Sequence, residues 1–355
     1  MTACGHSPNL VHAITCWPDT ANHLTSHPGI AHLTFIGSRP VAHAVCASAA
    51  KALIPVTVEL GGKDASIVLD DPSGQAVGET EMKRIASIIM RGGYQAAGQN
   101  CIGIERVIAM PQAYSRLVNM LAPRVKALKT GNDLIEKNID VGATISQAGF
   151  ERLEGLIQDA QKQGARLIAG GSRFTHESFP RGHYFQPTLL VDVTPSMRIA
   201  QEELFAPVCI LMRASSVDDA IAIANSTPYG LGSSVFGPSS STPARTALAK
   251  VTREVKAGMV AVNDFAAFYA VQLPFGGVKG SGYGRFAAEE GLRALCNTKA
   301  VCRDRWPGLI KTAIPSGLDY PMQPMAWEMG KGVVEMGYGE DWKRTFKGLR
   351  RMIGV

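Results

Sequence analysis

Leu33-Thr34-Phe35-Ile36-Gly37-Ser38 and Val56-Thr57-Val58-Glu59-Leu60-Gly61-Gly62 are the two stretches that decide the fold. Each is a short apolar run that stops at glycine. Between them lies a stretch of mostly small residues, Val41 to Ala52, with the composition of a tightly packed helix. Strand, glycine turn, helix, strand is one βαβ unit, and such a unit requires its two strands to run parallel.

The same rhythm continues outward. Strands are predicted at Ser66–Leu69, Arg106–Met110, Arg166–Ile168, Thr188–Val193, Val208–Met212, Ser233–Phe236 and Met259–Val262. Helices are predicted at Met82–Ala97, Ala113–Leu128, Gln147–Lys162, Val217–Ala224 and Thr246–Lys256, the last followed by Gly258, a common helix stop. A glycine-rich loop runs from Pro274 to Gly284. The alternation predicts an α/β protein with largely parallel sheets and flanking helices. After Val301 the texture changes. Pro307, Pro315, Pro321 and Pro324 predict an extended arm, closed by a basic amphipathic helix over Trp342–Ile353. A solvated surface helix is the expected reading of that segment, with contact to an anionic membrane surface as the alternative.

The 355 residues are 46% hydrophobic and 19% charged, a globular rather than a disordered composition. The net charge of +6 gathers near the C-terminus, and the rest of the chain has no basic stripe interleaved with aromatics, so no nucleic-acid partner is expected. Seven cysteines at irregular gaps, with no Cys-x-x-Cys, argue against a disulfide framework or a bound metal and suit a reducing compartment. No run of eighteen apolar residues is present, and the N-terminus lacks the pattern of a secretory signal. As written, the chain reads as cytoplasmic.

Chemistry concentrates at two places. Gly98-Gln99-Asn100-Cys101 offers a sulfur nucleophile at the end of a predicted helix, and Glu59 offers a carboxylate between a strand and two close-approach glycines. A thiol is a strong nucleophile once it loses its proton, and a nearby carboxylate can take that proton or activate water. Each residue also has a plain structural reading: Cys101 as a core thiol, Glu59 as a solvated strand end.

In order along the chain, Ile36-Gly37-Ser38, Glu59-Leu60-Gly61-Gly62-Lys63, Gly98-Gln99-Asn100-Cys101, Glu202-Glu203-Leu204-Phe205-Ala206-Pro207-Val208 and Pro274-Phe275-Gly276-Gly277 with Ser281-Gly282 resemble the motifs of the aldehyde dehydrogenase superfamily. The resemblance covers roughly Gly5 to Val301. Its wording through Arg106 is similar to a fungal and plant branch, some of whose members carry an N-terminal membrane anchor. It implies oxidation of a small-molecule aldehyde to an acid, with hydride transfer to NAD or NADP through a thiohemiacetal and a thioester on Cys101. In these roles Glu59 would be the general base and the Cys101 backbone N–H an oxyanion donor. Gly37, Ser38, Leu60 and Gly61 would line the cofactor, Glu203 would bind its nicotinamide ribose, and Phe205 would pack on the nicotinamide. Without the resemblance Glu203 would read as a helix-capping acid and Phe205 as a core aromatic. Arg39-Pro40 and Ala42-His43 depart from the family's pattern after Ser38.

The implied organisation is the latter part of an incomplete Rossmann-like cofactor domain over 1–63, a catalytic domain over 64–275, a return to the cofactor side with an oligomerisation strand over 276–302, and a C-terminal extension over 303–355. Thr298–Val301 would be the strand that joins copies into a homo-oligomer. The family's preceding segment, with an oxyanion-hole asparagine and an adenine-ribose lysine, has no counterpart before Leu33. A truncated chain with weak cofactor binding and slow turnover is therefore expected, since losing one oxyanion donor costs about two to three orders of magnitude. An anchor in such a segment would direct the protein to the endoplasmic reticulum membrane. Two other functions remain open at this stage, a non-catalytic scaffold and a cofactor-independent thiol esterase using Cys101 and Glu59.

Overall fold

The computed structural model describes residues 2–74, 77–265, 272–309, 311 and 313–352. A short helix, α1 (Pro18–Thr25), precedes the first βαβ unit. In that unit β1 (Leu33–Ile36) and β2 (Val56–Glu59) run parallel, with Leu33 opposite Val56 and Ile36 opposite Glu59. The helix between them, α2 (Arg39–Ala50), starts two residues ahead of the predicted stretch. Pro40 sits in its first turn, where a missing N–H and a fixed φ are tolerated.

The chain then crosses through residues 60–64 into a second sheet. In order come β3 (Ala65–Val68), α3 (Glu79–Tyr94), β4 (Arg106–Ala109), α4 (Pro111–Lys126), α5 (Phe150–Lys162) and β5 (Arg166–Ala169). A small hairpin, β6 (Arg173–Phe174) with β7 (Tyr184–Phe185), leads to β8 (Thr188–Val191), α6 (Arg198–Gln201), β9 (Val208–Arg213), α7 (Val217–Asn225) and β10 (Gly232–Phe236). Then follow α8 (Thr242–Glu254), β11 (Met259–Val262), β12 (Gly282–Tyr283) and α9 (Ala288–Ala294). The large sheet has the order β11-β10-β3-β4-β9-β8-β5, and every neighbouring pair is parallel except β5 with β8. β12 returns to the first sheet and pairs antiparallel with β2, placing Gly282 opposite Glu59.

Both faces of the large sheet are buried, as a parallel sheet requires. Ile67, Ile108 and Ile210 point to a core shared with Leu156 of α5, Ile221 of α7 and Val251 of α8. Their neighbours Val68, Val107 and Leu211 point to the opposite core, with Ile85 and Ile89 of α3 and Leu117 of α4. Full burial of each such side chain is worth about 1.5–3 kcal/mol, so these layers hold rigid the strand ends that carry the site.

The differences from expectation are local. The helix predicted to Ala97 stops at Tyr94, and Gln95–Gly98 follow as a tight turn with Ala96 and Ala97 both at φ 53°. α5 begins at Phe150, after Gly149, rather than at Gln147. α8 begins at Thr242 because the Ser241 hydroxyl accepts the Ala244 N–H at 3.3 Å and caps it. In the loop after β3, Gln75 and Ala76 lie outside the described residues.

Residues 297–355 form a separate compact unit. The extended arm predicted there needs correction, because α10 (Ala326–Tyr338) packs as a hairpin against α11 (Trp342–Met352). Gly330, Gly332 and Gly337 each weaken intrinsic helix propensity by about 1 kcal/mol, which hides α10 in the sequence, and packing against α11 compensates. Ile353, placed in the predicted last helix, lies outside the described residues. Thr298–Val301 are part of no strand in the structure.

Candidate functional site

Glu59 is the last residue of β2, held between β1 on one side and β12 on the other, and it is 1% exposed. The β12 return makes it a buried carboxylate rather than a solvated strand end. Its Oε1 accepts the N–H of Gly61 at 3.0 Å, which Gly61 can offer because it adopts φ 69°. Burial raises the Glu59 carboxyl above the ordinary value of 4.5, and hydrogen bonds from Gly61 and the Cys101 thiol partly oppose that rise.

Cys101 follows the Gln95–Gly98 turn. Gly98 adopts φ 68°, and a Cβ there would lie 2.0 Å from the carbonyl oxygen of Ala206, so only glycine lets the two backbones meet. The loop is tied back to α3 by the Ile104 N–H, which donates to the Gly92 carbonyl at 3.0 Å. Within this frame the Cys101 and Glu59 side chains lie close enough for each to shift the other's protonation, while the Cys101 thiol points toward Asn100 Oδ1 at 4.0 Å. Burial first, then the negative charges of Glu59 and Asp64, push the Cys101 thiol up to about 12. The resting sulfur is therefore a protonated thiol, and the Glu59 carboxyl is the nearby group able to take its proton.

The Glu202–Val208 segment arrives from the other side. Glu203 Oε1 accepts the Gly62 N–H at 3.2 Å, and a Cβ on Gly61 would lie 2.2 Å from that same oxygen. Burial, reinforced by the negative charge of Glu105, pushes the Glu203 carboxyl up to about 8. Phe205 adopts φ 50° and leaves 41% of its surface exposed. Leu60 is buried against Ala42 and Val58, and its N–H donates to the Ser281 carbonyl at 3.1 Å.

Beneath these residues sits a buried charge network whose roles the sequence did not reveal. Lys63 Nζ lies 2.6 Å from Glu105 Oε2, with both side chains almost fully enclosed. Glu105 also accepts the N–H groups of Leu204 and Phe205 at 3.0 Å, fixing the backbone that carries Glu203 and Phe205. Arg106 donates to the carbonyls of Lys63 at 2.8 Å, Ile223 at 3.0 Å and Ala224 at 2.9 Å. Burial holds the Asp64 carboxyl well above the usual carboxylate range. The available signal was the coincidence of Lys63-Asp64 and Glu105-Arg106 at the starts of two apolar strands, which pair with Ala65 opposite Arg106.

Gly37 and Ser38 are both exposed. The Gly37 N–H donates to the Glu59 carbonyl at 3.1 Å, so this turn reaches the site through the β2 backbone. Ser38 occupies the N-cap of α2 without a side-chain cap bond, and of the first three helical residues only Arg39 and Val41 carry an N–H. Beside this turn lies a cavity of ≈ 350 Å³ whose lining includes Arg39, His43, Cys46, Leu60 and Tyr283. An open helix N-terminus, an adjoining cavity and an exposed aromatic ring next to a buried carboxyl fit a dinucleotide's phosphates, sugars and ring. Among the described residues no cluster of three or more His, Cys, Asp or Glu side chains could hold a metal ion.

The model of the family described as the aldehyde dehydrogenase family matches residues 1–301. An aldehyde dehydrogenase-like protein of Schizosaccharomyces pombe is 50% identical over 341 residues, which cover 96% of this chain and 62% of the relative. Succinate-semialdehyde dehydrogenase [NADP(+)] 1 of Mycobacterium tuberculosis is 34% identical over 274 residues, 77% of this chain and 56% of that protein. Among solved structures, lactaldehyde dehydrogenase from Escherichia coli superposes with a TM-score of 0.71 at 30% identity, covering 79% of this chain and 55% of that one. Betaine aldehyde dehydrogenase from Staphylococcus aureus in complex with NAD+ gives 0.69 at 30% identity, covering 77% of this chain and 51% of that one. The chain thus spans half to three-fifths of the length of these relatives.

Proposed function

The chain belongs to the aldehyde dehydrogenase family, and on that premise we propose that it oxidises an aldehyde to a carboxylic acid with NAD or NADP as acceptor. The observation that carries this reading is the proximity of the buried Glu59 carboxyl and the Cys101 thiol, two residues from separate motifs whose protonation is mutually coupled. Glu59 takes the thiol proton as the sulfur adds to the aldehyde carbon, giving a thiohemiacetal. The backbone N–H of Cys101 faces the oxyanion in this scheme. Bound NAD or NADP supplies the acceptor for the hydride that leaves this carbon. Glu203, Phe205 and the Gly37-Ser38 turn would hold and orient it, with Leu60 and Gly61 closing the near side. The acyl group is then a thioester on Cys101. Once Glu59 has passed the thiol proton to solvent, it draws a proton from water; the hydroxide adds to the thioester carbon, the C–S bond breaks, and the departing thiolate takes the proton back from Glu59 as the acid forms. Because burial raises the Glu59 carboxyl, its basic form is gained at higher pH than for an ordinary glutamate, and hydrolysis should quicken along that limb.

Two assays test the scheme. With an aldehyde series and NAD or NADP, Cys101→Ser should lower NADH or NADPH formation at least about a thousandfold. Glu59→Gln should slow thioester hydrolysis by about 10²–10⁴. With an activated ester and no cofactor, mass spectrometry should find the acyl group on Cys101. Turnover unchanged in Cys101→Ser, or acylation spread over other cysteines, would refute the assignment. Ester cleavage with no aldehyde oxidation would favour the thiol esterase, and silence in both assays the scaffold.

A further inference from the structure

The α10–α11 hairpin carries a surface that the catalytic reading does not use. Trp342, Phe346 and Leu349 are 73%, 56% and 43% exposed, and their i, i+4, i+7 spacing sets them on one stripe of α11. The helix holds five basic residues and no acidic one. Arg351 is bound to Glu335 of α10 at 3.1 Å, with Glu328 of α10 at 3.6 Å, and Glu328 also accepts Lys331 at 2.9 Å. The acids of α10 are therefore engaged. Among the described residues, Lys343, Lys347 and Arg350 have no carboxylate within ion-pairing distance.

The apolar stripe cannot simply roll inward. Gly332 and Gly348 meet at the helix crossing, and a Cβ on either would lie 2.6 Å from the other's carbonyl oxygen. That contact and the Arg351 ion pairs fix the rotation of α11 on α10, with the glycine face inward and the aromatic stripe outward. At 11 residues the helix is about 16 Å long, half of a bilayer's ~30 Å hydrocarbon core. Among the described residues no helix is long and apolar enough to cross a membrane.

We propose that α11 lies in the plane of an anionic phospholipid surface, with Trp342, Phe346 and Leu349 inserted at the headgroup boundary and Lys343, Lys347 and Arg350 on lipid phosphates. The charge pattern selects this occupant. A rail of cations outside any direct ion pair beside an apolar stripe ending in tryptophan matches an interfacial helix, whereas a nucleic acid would leave Phe346 and Leu349 without purpose.

The test uses the full chain and vesicles of phosphatidylcholine with or without phosphatidylserine. Co-sedimentation should require phosphatidylserine and weaken with salt. Lys343→Gln, Lys347→Gln and Arg350→Gln should each weaken binding about fivefold. Phe346→Asp should abolish it, with circular dichroism unchanged because the side chain is exposed. In a chain keeping Trp342 alone (Trp17→Phe, Trp306→Phe, Trp327→Phe), brominated lipid should quench fluorescence. Equal binding to pure phosphatidylcholine, full binding by Phe346→Asp, an unquenched Trp342, or binding to RNA with vesicles ignored would each overturn the proposal.

Discussion

Two glycine turns border this site, and they are built in opposite ways. At Gly98 the backbone is enclosed. A neighbouring carbonyl occupies the space a side chain would take, and three successive residues, Ala96, Ala97 and Gly98, hold positive φ. At Gly37-Ser38 the turn is exposed, and Ser38 caps nothing with its side chain. The enclosed turn stores backbone strain at Ala96 and Ala97, of order 1–3 kcal/mol each, and the packing around Ala206 must hold it. The open turn is fixed by backbone bonds alone, Gly37 N–H to the Glu59 carbonyl and Ala42 N–H to the Ser38 carbonyl. Positioning of the sulfur is therefore a property of the packed interior, and positioning of a phosphate is left to a surface.

Glu105 is where this contrast breaks most severely. Glu105→Ala leaves Lys63 buried without a counter-charge and the N–H groups of Leu204 and Phe205 without an acceptor. Removing one partner of a buried pair costs about 3–5 kcal/mol, readable in urea unfolding. Replacing both partners, Lys63→Met with Glu105→Leu, should recover part of that loss but not all, because the two N–H groups stay unpaired. Full recovery would mean that Glu105 does not hold the 204–205 backbone. Gly98→Ala comes next. It forces a Cβ against the Ala206 carbonyl and an unfavourable φ on alanine, together about 2–4 kcal/mol. A cost under 1 kcal/mol would show that the enclosed turn has room to relax.

These two residues also mark the limit of what the sequence displays. The βαβ unit and the strands of the large sheet could be read from runs of apolar residues, because burial on both faces writes itself into composition. The Glu59–Cys101 pairing could be anticipated only through motif order, since β12 comes from far along the chain to enclose Glu59. Nothing local announces that Ala96 and Ala97 take positive φ, a conformation usually signalled by glycine or asparagine. Glu105 was hidden for a related reason. A charge at the start of a strand is normally solvated, and its burial depends on Lys63 arriving from the neighbouring strand.

Glu203 sharpens the comparison by titration. Its folded carboxyl sits at about 8 and an unfolded glutamate near 4.5. Between those values the unfolded chain ionises while the folded one keeps its proton, so this group's contribution to stability falls as pH rises and is level above about 8. Glutamine does not titrate. The Tm of Glu203→Gln relative to the parent should therefore climb from pH 4 to pH 9, with acids remote from Glu203 cancelling from the difference. A flat difference would mean that Glu203 is solvated and that its place against Gly61-Gly62 is not held in solution.

Ser38→Ala is the mildest change, and for that reason the most discriminating for the open turn. An N-cap serine that bonds its helix is worth about 1 kcal/mol, but Ser38 makes no such bond. Stability should move by less than about 0.5 kcal/mol. If the exposed turn exists to receive a phosphate, the same substitution should weaken NAD binding in titration calorimetry while leaving unfolding untouched. A loss near 1 kcal/mol with unchanged NAD affinity would give Ser38 a capping role, and both turns would then have to be counted as parts of the scaffold.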